Sequence, residues 1–330
     1  MKMTVTIKDV AKVANVSYST VSKALNNSPL VKEATKQKIL KVANELGYEP
    51  NLAAKQLVRK RTEVIGLAWP TIERIVLATL VTNISDAFKH TPYSMILSVD
   101  KPEIAMETFR KFSVDGVIAF AQSELPLDSF ANIPLVSYGV SKQEGRGYPT
   151  IDANHEKAIE LAVEHLQQKG HQRIAYAGLL NTTDPLQIEK AESYRRAMTK
   201  FDLESYQLEV DTEGLDWQDG YHAVDKILQS DPQPTAIIGG SYDISGGMVR
   251  ALQEREIKIP QDISIVSYDN IPQMDTMEIP MTCVGVPVDE LAKEIVRSII
   301  DLIEEKDDED TWIKKLTPVL TVRESTAAIK

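Results

Sequence analysis

Thr6-Ile7-Lys8-Asp9-Val10-Ala11-Lys12-Val13-Ala14-Asn15-Val16-Ser17-Tyr18-Ser19-Thr20-Val21-Ser22-Lys23-Ala24-Leu25-Asn26 holds two short helical patterns separated by a tight turn. Thr6 is placed as an N-cap, and Asp9, three residues on, completes a capping-box pattern. Ile7, Val10, Ala11 and Ala14 then recur at helical spacing and make one apolar face. Asn15-Val16 breaks this helix, and Ser17 caps a second one running to about Asn26, with Val21, Ala24 and Leu25 facing inward. Pro29 closes the next loop. A third helix from about Lys32 to Leu46 buries Ile39, Leu40, Val42, Ala43 and Leu46, and Gly47 is its C-terminal stop.

Two short helices joined by a tight turn form a helix-turn-helix, whose second helix enters the DNA major groove N-terminus first. Tyr18, Ser19 and Thr20 occupy that N-terminus, with Lys23 about one turn further. Lys23 has the chemistry to donate to guanine O6 and N7. Thr6, Ser17, Thr20, Ser22 and Asn26 carry the short polar side chains that hold phosphates, which set register without reading bases. Charge is divided the same way. Residues 1–62 carry 12 Lys+Arg against 4 Asp+Glu, while the remainder carries 25 against 44, so a net charge of −11 conceals a basic module on an acidic body. The acidic body repels phosphates, which confines DNA contact to the first 60 or so residues.

The chain has 330 residues, of which 43% are hydrophobic and 26% charged, as expected of a small module plus two α/β lobes. No run approaches the roughly 20 apolar residues of a membrane helix, and residues 1–9 show no secretory signal, so a cytoplasmic protein is expected. One cysteine, Cys283, excludes an intrachain disulfide and a multi-cysteine metal site.

The quoted stretch, continuing through Val31 to Leu46-Gly47-Tyr48-Glu49-Pro50-Asn51, resembles the headpiece of the LacI/GalR family of bacterial transcriptional regulators. Pro50-Asn51-Leu52-Ala53-Ala54-Lys55-Gln56-Leu57-Val58-Arg59 resembles that family's hinge helix. The resemblance implies that this segment folds when two copies pair over the operator's minor groove. Asn51 would be its cap, Ala54 would lie on the contact face, and Leu57 would be the wedge between central base pairs. A segment of about eight residues is marginal as a free helix because nucleation is costly. Domains are therefore expected at 1–49 (DNA-binding headpiece), 50–62 (hinge helix and linker) and 63–330 (effector-binding and dimerisation body).

Short β-branched runs alternate with amphipathic helical patterns through the body. Strands are expected at Val64–Ala68, Met95–Val99, Val117–Phe120, Leu135–Tyr138, Ile174–Ala177, Ala236–Ile238 and Ile263–Ser267. Helices are expected near 72–89, 102–112, 154–169, 185–201, 218–229, 244–255 and 288–304. The fold class is α/β: an all-α headpiece followed by parallel sheets flanked by helices. Val114-Asp115-Gly116-Val117-Ile118, Lys169 to Ala175, Ile259 to Asn270 and Val322-Arg323-Glu324-Ser325 are similar to the same family's periplasmic-binding-protein-like sensor. That resemblance implies two lobes linked by three crossovers, near 150, 280 and 319. The N-lobe is then about 63–149 and 281–318, the C-lobe about 150–280 and 319–330.

The resemblance also implies an effector cleft between the lobes. Asp269 follows a strand end at the position where the family holds a ligand hydroxyl or amine. Lys190 stands where many members grip the ligand with arginine. Asp243 matches a Ser-Asn-Asp segment in which Tyr242 replaces the asparagine. Val76, Leu77 and Leu215 stand where purine-binding members carry aromatic residues, with Trp217 two residues beyond Leu215 and Trp69 just after the first body strand. These departures disfavour a purine and suit a small polar ligand such as a sugar, a sugar acid or a sugar phosphate.

No phosphate-binding glycine loop, nucleophile elbow or paired-histidine motif occurs, so neither an enzyme, a cofactor nor a metal is expected. His155, His165 and His171 are too far apart in sequence to share a helical turn. The expected protein is an operator-binding repressor that acts as a homodimer on double-stranded DNA and answers to a small molecule. Two alternatives remain: a regulator of the same fold controlled by a protein partner, and a sugar-binding protein that does not bind DNA.

Overall fold

The computed structural model describes residues 5–25, 28–48, 61–120, 133–140, 148–305 and 313–329. The chain divides into two compact units, Met1–Thr62 and Glu63–Lys330.

In the first unit, helices α1 (Ile7–Ala14), α2 (Tyr18–Leu25) and α3 (Glu33–Leu46) close on Val10, Ala14, Val21, Ala24, Ile39 and Ala43. The Asp9 carboxylate accepts from both Thr6 N (2.8 Å) and Thr6 Oγ1 (2.7 Å), which fixes the first turn. Ser17 Oγ accepts from Thr20 N at 3.2 Å and does the same for α2. Asn15 and Gly47 end α1 and α3 in the left-handed conformation. Leu40 differs from expectation: it is 38% exposed, because Ile39 and Ala43 define the inner face and Leu40 falls about 100° away from Ile39. Asn26 and the expected hinge helix at 50–59, including Asn51, Ala54 and Leu57, lie outside the described residues.

The second unit contains two six-stranded sheets. The N-lobe sheet has the order β2 (Ser94–Ser98), β1 (Val64–Ala68), β3 (Gly116–Phe120), β4 (Leu135–Tyr138), β5 (Thr150–Asp152) and β11 (Ile313–Lys315). The C-lobe sheet runs β7 (Leu208–Asp211), β6 (Ile174–Gly178), β8 (Ala236–Gly239), β9 (Ser264–Asn270), β10 (Thr282–Pro287) and β12 (Val319–Thr321). The pairings are parallel except β10 with β12. The N-lobe also contains α4 (Ile75–Phe88), α5 (Pro102–Phe112) and α10 (Val288–Ile303). The C-lobe contains α6 (His155–Gln168), α7 (Pro185–Lys200), α8 (Trp217–Leu228) and α9 (Tyr242–Glu254).

The lobe boundaries shift from those expected. β5 pairs within the N-lobe sheet and β10 within the C-lobe sheet, so the first crossover follows Asp152 and the second follows Pro287. Strands β5, β7, β10, β11 and β12 were not expected. β5, β11 and β12 have three residues each and β7 has four, too few to carry a periodic signal.

The C-terminal tail is bound into the C-lobe. Ser325 Oγ donates to Ile265 O (2.6 Å) and accepts from Thr282 N (2.8 Å). His165 Nε2 meets Thr326 Oγ1 at 3.0 Å, and His171 Nε2 donates to Ala327 O at 3.0 Å. Burial lowers the pKa of both imidazoles, that of His165 to about 4. These two histidines are therefore structural.

Helices α8 and α9 pack with backbones nearly touching. A Cβ on Gly247 would stand 1.9 Å from Trp217 O, and one on Gly220 would stand 2.1 Å from Ile244 O. Both obstacles are backbone and cannot rotate away. Gly247→Ala should therefore destabilise the body by about 3 kcal/mol or more, read as the midpoint in denaturant. An unchanged midpoint would mean that the two helices separate freely.

Candidate functional site

In each sheet the parallel strands send their carboxyl ends toward the space between the lobes, the edge where open α/β sheets bind ligands. A cleft there encloses about 640 Å³, open solvent included. The N-lobe lines it with Arg74, Val76, Leu77 and Leu80 around the start of α4, and with Phe120 and Tyr138 at the ends of β3 and β4. The C-lobe contributes His155, Gln187, Lys190, Tyr268 and Asp269.

One wall is aromatic. Trp69, 2% exposed, stands behind Phe120 (centroids 5.1 Å, edge-on) and Tyr138 (6.4 Å, stacked). This wall is assembled from strand ends distant in sequence.

The C-lobe floor is polar and buried. Lys190, only 4% exposed, donates to Gly240 O at 2.9 Å, and its ammonium lies 4.0 Å from the Tyr268 ring centroid. Burial lowers its pKa to about 8, against the opposing pull of Asp269 and with help from Arg74. His155 Nδ1 makes a short hydrogen bond to Tyr268 OH, and burial and then Lys190 push the imidazole down to about 3, so it is neutral. His155 Nε2 and Gln187 Oε1 are buried with no hydrogen-bond partner. Asp269 has φ +85°, strain of the kind that collects at functional sites. Its Oδ2 accepts from Tyr242 N at 2.9 Å, which fixes the carboxylate at the N-terminus of α9.

Of the residues selected from sequence, Val76, Leu77, Lys190 and Asp269 line the cleft. Trp69 backs the aromatic wall, Tyr242 holds Asp269 through its N–H, and Asp243 faces Arg74, with Arg74 Nε 3.9 Å from Asp243 Oδ2. Leu215 and Trp217 do not line it. Leu215 packs against the core, while Trp217 is 40% exposed and stacks on Tyr221 at 5.6 Å. Arg74, Phe120, Tyr138, His155, Gln187 and Tyr268 were not selected. Phe120 and Tyr138 end expected strands, and that position was the available signal. In the headpiece, Tyr18 and Ser19 are exposed at the start of α2, Tyr18 to 54%, and Lys23 is exposed in its last turn. Thr6 and Ser17 are occupied in capping, and Thr20 bonds Ser17 Oγ through its hydroxyl at 2.7 Å.

Among the described residues no group of three or more His, Cys, Asp or Glu is disposed to hold a metal ion. No helix there is long and apolar enough to cross a membrane.

The family profile described as bacterial regulatory proteins, lacI family, matches residues 6–51, and the periplasmic binding protein-like domain profile matches residues 163–326. Catabolite control protein A of Priestia megaterium is 32% identical over 338 residues, covering 98% of this chain and 100% of that protein. The probable HTH-type transcriptional repressor ExuR of Bacillus subtilis (strain 168) is 30% identical, with 91% and 92% covered. Among solved structures, a lac repressor dimer bound to operator and the anti-inducer ONPF superposes with a TM-score of 0.84 at 25% identity, covering 99% of this chain and 100% of that one.

Asp243 provides a test of the cleft's electrostatics. Burial raises its carboxyl from 3.8 to about 6, with Arg74 opposing and Asp269 and Asp216 reinforcing. A raised carboxyl stabilises the fold fully below 3.8, and that contribution is lost as the pH rises through 6. Asp243→Asn should therefore gain up to about 3 kcal/mol over the parent at neutral pH and nothing in acid. Tm measured across pH checks this. A variant less stable at neutral pH would show that pairing with Arg74 outweighs burial.

Proposed function

The chain belongs to the lacI family of bacterial regulatory proteins, and from that premise we propose a transcriptional repressor that binds a pseudo-palindromic operator as a homodimer and is switched by a small polar metabolite held between its lobes. The DNA-facing part is read as residues 1–49, followed by a hinge at 50–62 that orders over the minor groove with Asn51, Ala54 and Leu57 in the roles given above. The body, 63–330, is read as the sensor and dimerisation unit. The chain is taken as a regulator and not an enzyme, working in the cytoplasm where its DNA is.

The observation that carries the DNA reading is the face of α2. Its caps and core are satisfied internally, yet Tyr18 and Ser19 at its N-terminal end and Lys23 in its last turn remain exposed. A helix presented this way, in a module with eight more basic than acidic residues, matches groove entry. Two-fold pairing follows from the small surface one headpiece offers, since symmetric half-sites double it. The sensor reading is supported by the buried polar atoms that reach the cleft without protein partners, His155 Nε2 and Gln187 Oε1. Unsatisfied buried groups are costly, and a hydroxylated ligand would satisfy them.

Lys23→Ala should relax preference at one base pair per half-site, at a cost of about 1–3 kcal/mol on the preferred sequence. Binding to a randomised half-site library measures this, and equal weakening on every sequence would reassign Lys23 to phosphate. Asp269→Asn keeps a residue type that tolerates positive φ but removes the charge. It should abolish the change in operator affinity caused by whichever metabolite stabilises the parent in a thermal-shift screen. The comparison is made at fixed salt, because phosphate contacts make affinity salt-dependent. A full response in Asp269→Asn would move the effector away from the C-lobe floor.

A further inference from the structure

Two cations line the cleft from opposite lobes. Arg74 precedes α4 in the N-lobe, and Lys190 stands on α7 in the C-lobe. Among the described residues, no ion pair within 4.0 Å involves Lys190; its ammonium meets Gly240 O and the Tyr268 ring. Arg74 Nε is buried without a hydrogen-bond acceptor, and its pairing with Asp243 is long, at 3.9 Å, with Asp243 Oδ2 equally unpartnered. The acids near Lys190 act on it through charge alone, and each is held by a backbone N–H. Asp269 accepts Tyr242 N at 2.9 Å, and Asp184 accepts Leu186 N at 2.9 Å as the cap of α7. Helices α4, α6 and α7 all begin at the cleft, where Val76, His155 and Leu186 line it. Their positive dipole ends therefore add to the same potential.

The geometry points to an effector that carries an anionic oxygen group, a carboxylate or a phosphate monoester, on a small polyol, with that group bridging Lys190 of the C-lobe and Arg74 of the N-lobe. The inference rests on the cleft being the effector site and narrows the ligand's class. Buried like charges repel as the lobes approach, and in a medium of low dielectric that repulsion is poorly screened. An anion between them replaces repulsion with charge-assisted hydrogen bonds to both lobes. A neutral sugar fills the same space but leaves the two cations opposed. Anion binding and lobe closure are then one event, and the ligand favours the closed arrangement because only there does it touch both cations.

This arrangement leaves a signature in pH. Burial keeps the Lys190 ammonium near a pKa of about 8, with Asp269 and Asp184 raising it and Arg74 lowering it. His155 and Tyr268, the other titratable groups against it, are held uncharged by burial. A bound anion restores the full charge of Lys190. Binding should take up a proton around and above pH 8, and anion affinity should fall as the pH rises past that point.

The test uses the full-length chain and a matched panel: neutral pentoses and hexoses, the uronic and aldonic acids derived from them, and their phosphate monoesters. Thermal shift identifies binders, and calorimetry in two buffers of different ionisation enthalpy measures proton uptake. At least one acid or phosphate ester should bind about ten-fold or more tightly than its neutral parent, with proton uptake near pH 8. Which of the two does so distinguishes carboxylate from phosphate. Lys190→Gln should reduce that preference to near parity, while Lys190→Arg should restore it and remove the pH dependence, because a guanidinium does not titrate there. The inference is overturned if neutral sugars bind as well as their acids, or if the preference survives Lys190→Gln. In the first of these cases the effector cleft still stands. If no member of the panel shifts the melting temperature of the parent chain, the effector reading of the cleft falls together with the inference.

Discussion

Parallel strands cannot be joined by a tight turn, and the rest of the body depends on that constraint. Each crossover must carry the chain back along the sheet, and a right-handed helix does so with its N-terminus at the edge where the preceding strand ended. Strand carboxyl ends and helix N-termini are thereby collected on one edge of each sheet. Two such edges face each other here, and the cleft is the space they enclose. The placement of its polar groups follows. Lys190, His155 and Asp269 are not gathered by local sequence; they are side chains at the edge of one sheet, and Arg74 holds the same kind of position in the other lobe.

The headpiece follows a different logic. A unit with so small a core, seven buried side chains among the described residues, obtains much of its definition from caps. Thr6 with Asp9, Ser17 with Thr20, and the left-handed Asn15 and Gly47 fix where each helix starts and stops. With the polar side chains at the turn consumed in this way, the first residues of α2 are free to face outward. The same atoms that end the helices thus select which side chains meet a partner.

This difference explains what could be read from the sequence. Caps are local and appear as short patterns, so the three headpiece helices were legible to within a residue or so, and only the orientation of Leu40 was misjudged. In the body, the central strands other than β10 and the helices were legible from β-branched runs and helical spacing. The three-residue strands β5, β11 and β12 were not, because pairing with neighbours defines them and nothing in their own composition does. For the cleft, Asp269 and Lys190 were legible by resemblance at single positions, whereas Arg74 lies in an irregular connection with no pattern of its own. His155 was noticed only as a poor metal ligand. Its meeting with Tyr268, more than a hundred residues away, is a product of the fold.

The chain passes between the lobes three times: after Asp152, after Pro287 and between Lys315 and Val319. β5 and β11 are neighbours in one sheet, and β10 and β12 are neighbours in the other, so all three passages lie along the same margin of the body. Mechanically this is a hinge plate and not a single pin. One connecting strand would let the lobes swivel as well as close, whereas three abreast resist torsion and leave bending about their common line as the soft direction. The motion of one lobe against the other is thus reduced to nearly one coordinate, the width of the gap. A body with one soft coordinate can report only a scalar, how far it is shut.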